Sequence, residues 1–405
     1  MFCAPNFRIF EPIPKCRRYA VPKIHLYLFG RPISDRMEVN MKIVLTGGGT
    51  AGHVHPALAI AEALIASAES CEITFIGRRG GKENAPMKAV ATNLYEIEIY
   101  GIKRSLSPKN LKSLFCAVRA RGEAKRILKA VKPDIVLGTG GYVCWPVLSA
   151  AASLGIPTLI HESNASAGLA TKAIYKKCDK VLINYPETEK QLKGAKEIIT
   201  VGNPLRRDFY SVNRQSARRA LGLCERDVFI LSFGGSLGAE AINTAATELL
   251  KSYSSKAPRI KHIHATGRAN YSDNLHGEYS RERNGCRILP YIDNMPTLLH
   301  AADIVICRAG AVTLSEISAV GAAAILIPSP NVTDNHQYKN AKILSDSGAA
   351  VIIEEKDLTF EVLLEKVKLL SEKPEDRKRL SKCIEKFAKR DSTDKILKII
   401  KIVAK

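Results

Sequence analysis

Tryptophan occurs once in the 405 residues, as Trp145, and aromatic residues make up only 6% of the chain. Proteins that read single-stranded RNA stack its bases on aromatic platforms. A chain this poor in rings, with no visible nucleic-acid module, is disfavoured as a nucleic-acid binder. Cysteine numbers ten but is scattered, with no CxxC pair and no tight cluster. That argues against a disulfide framework and reads as the reduced thiols of a cytosolic protein. No apolar run reaches the roughly 18 residues of a membrane span; stretches such as AVGAAAILIP suit buried strands with their flanks. No DxD occurs in a suitable loop and the histidines do not fall at zinc spacing, so neither a metal nor a cofactor is expected. Acidic residues are the last shortage: 40 Asp and Glu stand against 61 Lys and Arg. Such a balance fits an acidic partner, whether nucleic acid, a nucleotide or an anionic membrane surface.

What the chain does have is repetition of strand and helix. KIVLT (42–46), EITFIG (72–77), DIVLG (134–138), PTLIH (157–161) and KVLIN (180–184) are strand-like, with helices between them at 56–68 and 110–131. The pattern restarts at VFILSFGGSLGAEAIN (228–243), followed by strands at 261–266, 286–291, 303–308 and 323–328. Alternation of this kind predicts parallel sheets with right-handed crossovers. Two glycine-loop openings predict two doubly wound domains facing each other across a cleft, joined near TVGNPLRRDF (200–209). Residues 1–40, rich in Pro and Arg, read as a disordered extension or an artefact of start-site choice, with Met37 and Met41 as alternative starts.

The first loop, GGGTAG (47–52), satisfies G-x-G-x-x-G, but the second strand ends in Gly77 and Arg78 rather than the acid that a dinucleotide ribose needs. NAD is therefore disfavoured and NADP survives only through the arginines. No Lys follows the last glycine, which rules out a P-loop. A plain strand-to-helix turn is the bland alternative. The second loop, GGSLGA (234–239), allows close backbone approach and adds the Ser236 hydroxyl at a helix mouth, a diphosphate site by dipole and free amides. In CRAGAVTLSEIS (307–318), Ala311, Val312 and Thr313 would offer amides at a helix start, and Glu316 could accept from both hydroxyls of a ribose; equally, Thr313 and Glu316 could form a capping box. His336 and Gln337 stand at the entry of a further helix, where a side-chain amide can read sugar hydroxyls or simply face solvent.

In this order, GGGTAGHVHPALA, GTGGYV (138–143), HESNASAG (161–168), GNPLR (202–206), GGSLGA, YIDNM (291–295), CRAGAVTLSE and HQYKNA closely resemble the MurG family, bacterial transferases that add N-acetylglucosamine to the lipid-linked muramyl-pentapeptide of peptidoglycan synthesis. The resemblance spans about 41–400. It implies a GT-B fold: an acceptor and membrane-side domain over 41–203, a UDP-N-acetylglucosamine domain over 204–387, and a final helix, about 388–405, returning to the first. Carried over residue by residue, Ser236 would contact the diphosphate and the Ile292 backbone the uracil. Ala311, Val312, Thr313, Leu314, Ser315 and Glu316 would hold diphosphate and ribose, and Gln337 the sugar. Thr50, Ala51, Gly52 and Asn164 would close on the donor from the first domain, and Arg206 matches a donor-side arginine of the linker. Leu237 and His336 depart from the family, which often has Gln at both places.

The chemistry so implied is a single inverting displacement at the anomeric carbon. His53 is the expected base, kept neutral by the positive end of the helix dipole; a structural histidine is the alternative, and His161, Glu162 and His55 rank lower. Between Lys103 and Lys132 lie ten Lys or Arg and one acid, Glu123, interleaved with Leu111, Leu114, Phe115 and Val118. This pattern suits the anionic cytoplasmic face of a membrane, or else an ordinary helix with its stripe in the core. A sugar-nucleotide epimerase, a glycolipid synthase and an NADP-dependent oxidoreductase are the rival enzymes.

Overall fold

The computed structural model describes residues 41–404 apart from 68–69, 102–108, 255–258, 273–278 and 280. The expected extension 1–40, the start of the basic run at Lys103 and the Leu111 side chain lie outside the described residues. Two sheets form the frame, every strand pair in them parallel. The first holds β1 (Met41–Thr46), β2 (Cys71–Arg78), β3 (Asn93–Ile97), β4 (Ile135–Gly138), β5 (Thr158–Glu162), β6 (Lys180–Ile183) and β7 (Ile198–Thr200), in the order 3-2-1-4-5-6-7. The second holds β8 (Val228–Phe233), β9 (Ile260–Ala265), β10 (Cys286–Leu289), β11 (Ile304–Cys307), β12 (Ala323–Leu326) and β13 (Ala350–Ile352), in the order 10-9-8-11-12-13. Central strands are covered on both faces, which is why β4, β11 and β12 are apolar without alternation. The strands that the periodicity missed, β3, β7 and β13, are all sheet edges, short and partly exposed, so they carry no continuous apolar run.

The order of each sheet reverses beside its first strand, between β1 and β4 and between β8 and β11. Ligand crevices of doubly wound sheets open at this switch point, beyond the carboxyl ends. Both glycine loops leave from those ends. The first helix runs Ala51–Ala66, with Pro56 inside it, rather than starting at 56. A proline signals a first turn, but here it forfeits only the bond to the Gly52 carbonyl, and the helix extends back until its start faces the crevice.

The apolar cluster on one side of the first sheet includes Val54, Leu58, Ile60 and Leu64 of this helix and is completed by Ile396, Leu397 and Ile400 of the last helix, Ser392–Val403. The chain thus returns from the second domain to the first. The outgoing and returning segments touch: Gly202 has φ 89°, and a Cβ there would fall 2.4 Å from Lys389 Cβ. The described cysteines are all free thiols.

On the other side of the first sheet, the helix Lys109–Val131 buries Ser113, Ala117, Ala120, Ala124 and Leu128. These mostly small residues at helical spacing let it lie close on the helix Cys144–Ser153. Leu114 (55% exposed), Phe115 (71%) and Val118 (61%) face outward instead, so they are not the core stripe of an ordinary helix.

Candidate active site

The first glycine loop is shaped by close packing. A Cβ at Gly47 would fall 2.4 Å from Thr139 Oγ1, and one at Gly49, where φ is 90°, 2.7 Å from the Tyr142 ring. The loop after β4 locks onto it: Gly48 N–H donates to Gly140 O (3.3 Å), and Thr139 Oγ1 donates to His53 O (2.7 Å). Thr50 is the N-cap of the helix but makes no side-chain cap, and no acid lies in the first turn. The amides of Ala51 and Gly52 therefore remain a positive helix end. The acid missing from the end of β2 appears from the turn Lys82–Ala89: Glu83 Oε1 accepts from Gly49 N–H (3.0 Å) and pairs with Arg78 (3.4 Å). Burial pushes this carboxyl up, but the backbone bonds and Arg78 outweigh it and leave it below its ordinary value.

His53 packs against the loop after β4 so closely that a Cβ at Gly140 would lie 2.5 Å from its Nδ1. Burial lowers its pKa; Glu162 opposes this and His336, from the other domain, adds to it. The neutral imidazole owes its state to desolvation first, a cause beyond the helix dipole invoked from sequence. His55 is likewise lowered by burial and by Arg206. His161, fully buried, bonds Gly202 O through Nε2 (2.9 Å). Buried Glu162 accepts from Asn164 N and Nδ2 (both 3.1 Å), Gly168 N (2.9 Å) and Thr171 Oγ1 (2.7 Å). These four donors bind it into the loop that carries Asn164.

In the second domain, Ser236 stands on the exposed turn of the loop, ahead of the helix Glu240–Ser254 rather than at its mouth, because Gly235 (φ 92°) and Gly238 (φ 79°) prolong the loop. Gly238 crosses so near the chain after β9 that a Cβ would sit 1.9 Å from Thr266 O. Leu237 is 81% exposed, its carbonyl held by Asn270 Nδ2 (2.8 Å). Ile292 is buried beside Tyr291, on whose ring Arg268 lies at 4.7 Å.

The helix Ala311–Val320 begins after Gly310 with no side-chain cap and no acid in its first turn. The capping box of Thr313 and Glu316 is not formed, because the N-cap is Gly310 and Thr313 already lies within the helix. The side chains of Ala311, Val312 and Leu314 are buried, so only their backbone can meet a ligand. The Ser315 hydroxyl is engaged, donating to Ala311 O (3.1 Å) and accepting from Asn203 Nδ2 (2.9 Å). Glu316 is pushed up to about 8 by burial and by Asp208, with Arg206 opposing. Arg206 itself pairs with Asp208 and, at 3.7 Å, with Glu62. Gln337, in the first turn of the helix His336–Asp346, accepts from Ser329 N–H (2.9 Å), which leaves its amide nitrogen as the donor for a hydroxyl.

The helices Ala51–Ala66 and Ala311–Val320 touch across the gap between the domains, and each begins without a side-chain cap. Asn340, fully buried and not singled out from sequence, closes the cleft: its Oδ1 accepts from Ala165 N (2.9 Å) and its Nδ2 reaches Asn164 Oδ1 (3.2 Å) and Ala309 O (3.3 Å). Residues 43–183 match the glycosyltransferase family 28 N-terminal domain and residues 229–396 its C-terminal domain. Over 366 residues, the chain is 41% identical to the UDP-N-acetylglucosamine--N-acetylmuramyl-(pentapeptide) pyrophosphoryl-undecaprenol N-acetylglucosamine transferase of Thermoanaerobacter sp. (strain X514), covering 90% of this chain and 100% of that one. The chain belongs to the MurG family of glycosyltransferases. Acinetobacter baumannii MurG, solved by crystallography, is 30% identical with a TM-score of 0.68, covering 89% of this chain and 99% of that one. Phytolacca americana UGT2, only 11% identical, shares the GT-B fold at a TM-score of 0.63 over 90% of this chain and 100% of its own.

Proposed function

We propose that this enzyme transfers N-acetylglucosamine from UDP-N-acetylglucosamine to the 4-hydroxyl of undecaprenyl-diphospho-N-acetylmuramoyl-pentapeptide, the step from lipid I to lipid II in peptidoglycan synthesis. One observation supports the geometric side of this reading: two helices with uncapped starts, one from each domain, touch across the gap between the domains. Such ends hold a diphosphate and stabilise the charge it gains on leaving, with dipoles that need no reorganisation. The acceptor hydroxyl attacks the anomeric carbon, its proton passes to neutral His53, and the bond from that carbon to the diphosphate oxygen breaks with inversion. Residues 204–387 hold the donor: Ser236 and the amides of Ala311, Val312 and Thr313 on the diphosphate, Glu316 on the ribose, Ile292 on the uracil and Gln337 on the sugar. Residues 41–203 bring the acceptor, with Thr50, Ala51, Gly52 and Asn164 closing over the donor.

The lipid tail of the acceptor calls for a membrane surface. Among the described residues no helix is long and apolar enough to cross a membrane. Exposed Leu114, Phe115 and Val118, with Arg119, Arg126 and Lys129 also exposed on the same helix, support peripheral docking on anionic lipid at the cytoplasmic face. The test is release of UDP from UDP-N-acetylglucosamine. We expect it only when lipid-linked muramyl-pentapeptide is supplied; equal release without the acceptor overturns the reading.

A further inference from the structure

Asp334 and Asn335 both adopt left-handed backbone, with φ of 60° and 49°. Two such residues in succession, neither of them glycine, are uncommon, although Asp and Asn tolerate the region best. A strained pair persists where its surroundings hold it. Here the holding contact comes from the other domain: Ser166 Oγ donates to Asp334 Oδ2 at 2.5 Å. Lys339 Nζ lies 3.0 Å from the same carboxylate oxygen and 3.4 Å from Ser166 Oγ. The hydroxyl gives its one hydrogen to the nearer acceptor, the carboxylate, with Gln191 Oε1 farther off at 3.4 Å, and takes one from the ammonium. Ser166 is buried, while Asp334 and Lys339 reach it from the partly exposed side of the turn.

The strained turn leads directly into the helix that carries Gln337 and Asn340. Ser166 follows Asn164 and Ala165, both of which Asn340 bonds. We propose that Ser166, Asp334 and Lys339 form a clasp across the cleft that holds the Gln337 helix against the Asn164 loop, making Ser166 and Asp334 positioning residues for donor binding. This assignment rests on the donor reading given above. With the clasp made, the closed arrangement stands ready for the donor; with it broken, apparent affinity falls by the fraction of molecules that remain closed.

The test compares Ser166→Ala, Asp334→Gly, which keeps the positive φ and removes the acceptor, and the double variant by calorimetry with UDP-N-acetylglucosamine and no acceptor, by steady-state kinetics, and by small-angle scattering of the ligand-free proteins. Each single variant should weaken donor binding about five- to tenfold, change kcat less than about twofold and enlarge the radius of gyration. The double variant should be no worse than either single, since all three changes remove one interaction. Additive losses, or unchanged donor affinity and unchanged scattering, would overturn the clasp. Failure of the wild-type protein to bind the donor at all would overturn the donor reading instead. Scattering alone would then decide the clasp, an unchanged radius in the double variant refuting it.

Discussion

Leu114, Phe115 and Val118 are 55%, 71% and 61% exposed, so replacing them tests a surface and not a core. Complete burial of such a side chain is worth about 1.5–3 kcal/mol. Scaled by the exposed fractions, the three hold about 3–6 kcal/mol of apolar burial not yet realised in the folded protein. If docking on lipid recovers about 2 kcal/mol of this, loss of the patch weakens vesicle binding about 30-fold. The perturbation is Leu114→Gln, Phe115→Gln and Val118→Gln together, glutamine being a good helix former. Sedimentation with anionic vesicles measures the partition. Zwitterionic vesicles give the electrostatic part, about 1 kcal/mol for each Lys or Arg near the surface. Melting temperature should move by no more than about 2 °C, as expected of surface substitutions, and turnover of a soluble acceptor lacking the lipid should hold. A triple variant that pellets within about threefold of the parent, or a parent indifferent to anionic lipid, refutes docking through this helix.

Three further outcomes are expected. His53→Ala should lower kcat by about 10²–10⁴-fold, the range of general-base catalysis, with donor affinity changed less than about threefold; near-normal turnover removes His53 from the role. Glu316, raised to about 8 by burial, is mostly protonated at neutral pH and becomes a better acceptor for ribose hydroxyls as pH climbs through 8. UDP binding followed by calorimetry should therefore tighten between pH 7 and about 9, and Glu316→Gln should flatten that profile. Buried His262, bonded to Ser232 Oγ at 2.7 Å, is held well below 6.5 by burial and by His264. The protein binds fewer protons there folded than unfolded, so stability that is full above about pH 6.5 declines as pH falls below it. Calorimetric melting should show that decline, reduced in His262→Gln; identical acid slopes in both proteins would exclude this residue.

The central architecture was legible because β1, β4, β8, β11 and β12 are apolar runs closed by glycine or small-residue turns, and a strand buried on both faces has no other signature. The edges β3, β7 and β13 were not, since half-exposed strands of three to five residues leave too little pattern. Within the candidate site, the turns bearing Thr50, Ser236 and Ala311 were legible as strand-to-helix turns because their glycines stand locally before a helix. Glu83 and Asn340 escaped because what they do depends on neighbours far along the chain: Gly49 lies 34 residues from Glu83 and Ala165 lies 175 from Asn340. Ser315 shows what a local motif does not carry, since its hydroxyl bonds the helix and Asn203, a partner 112 residues away.

Because the last helix goes home to the first domain, the two lobes are joined by a pair of neighbouring segments that meet where Gly202 abuts Lys389. A lobe hung on one strand could swivel in any direction. Hung on two that abut, its relative movement is confined to rotation about that contact. The contact is itself fastened to the first sheet, since the Gly202 carbonyl is held by His161 in β5. The price of the returning helix is therefore fewer ways for the lobes to part, and a shorter route by which they can come together again.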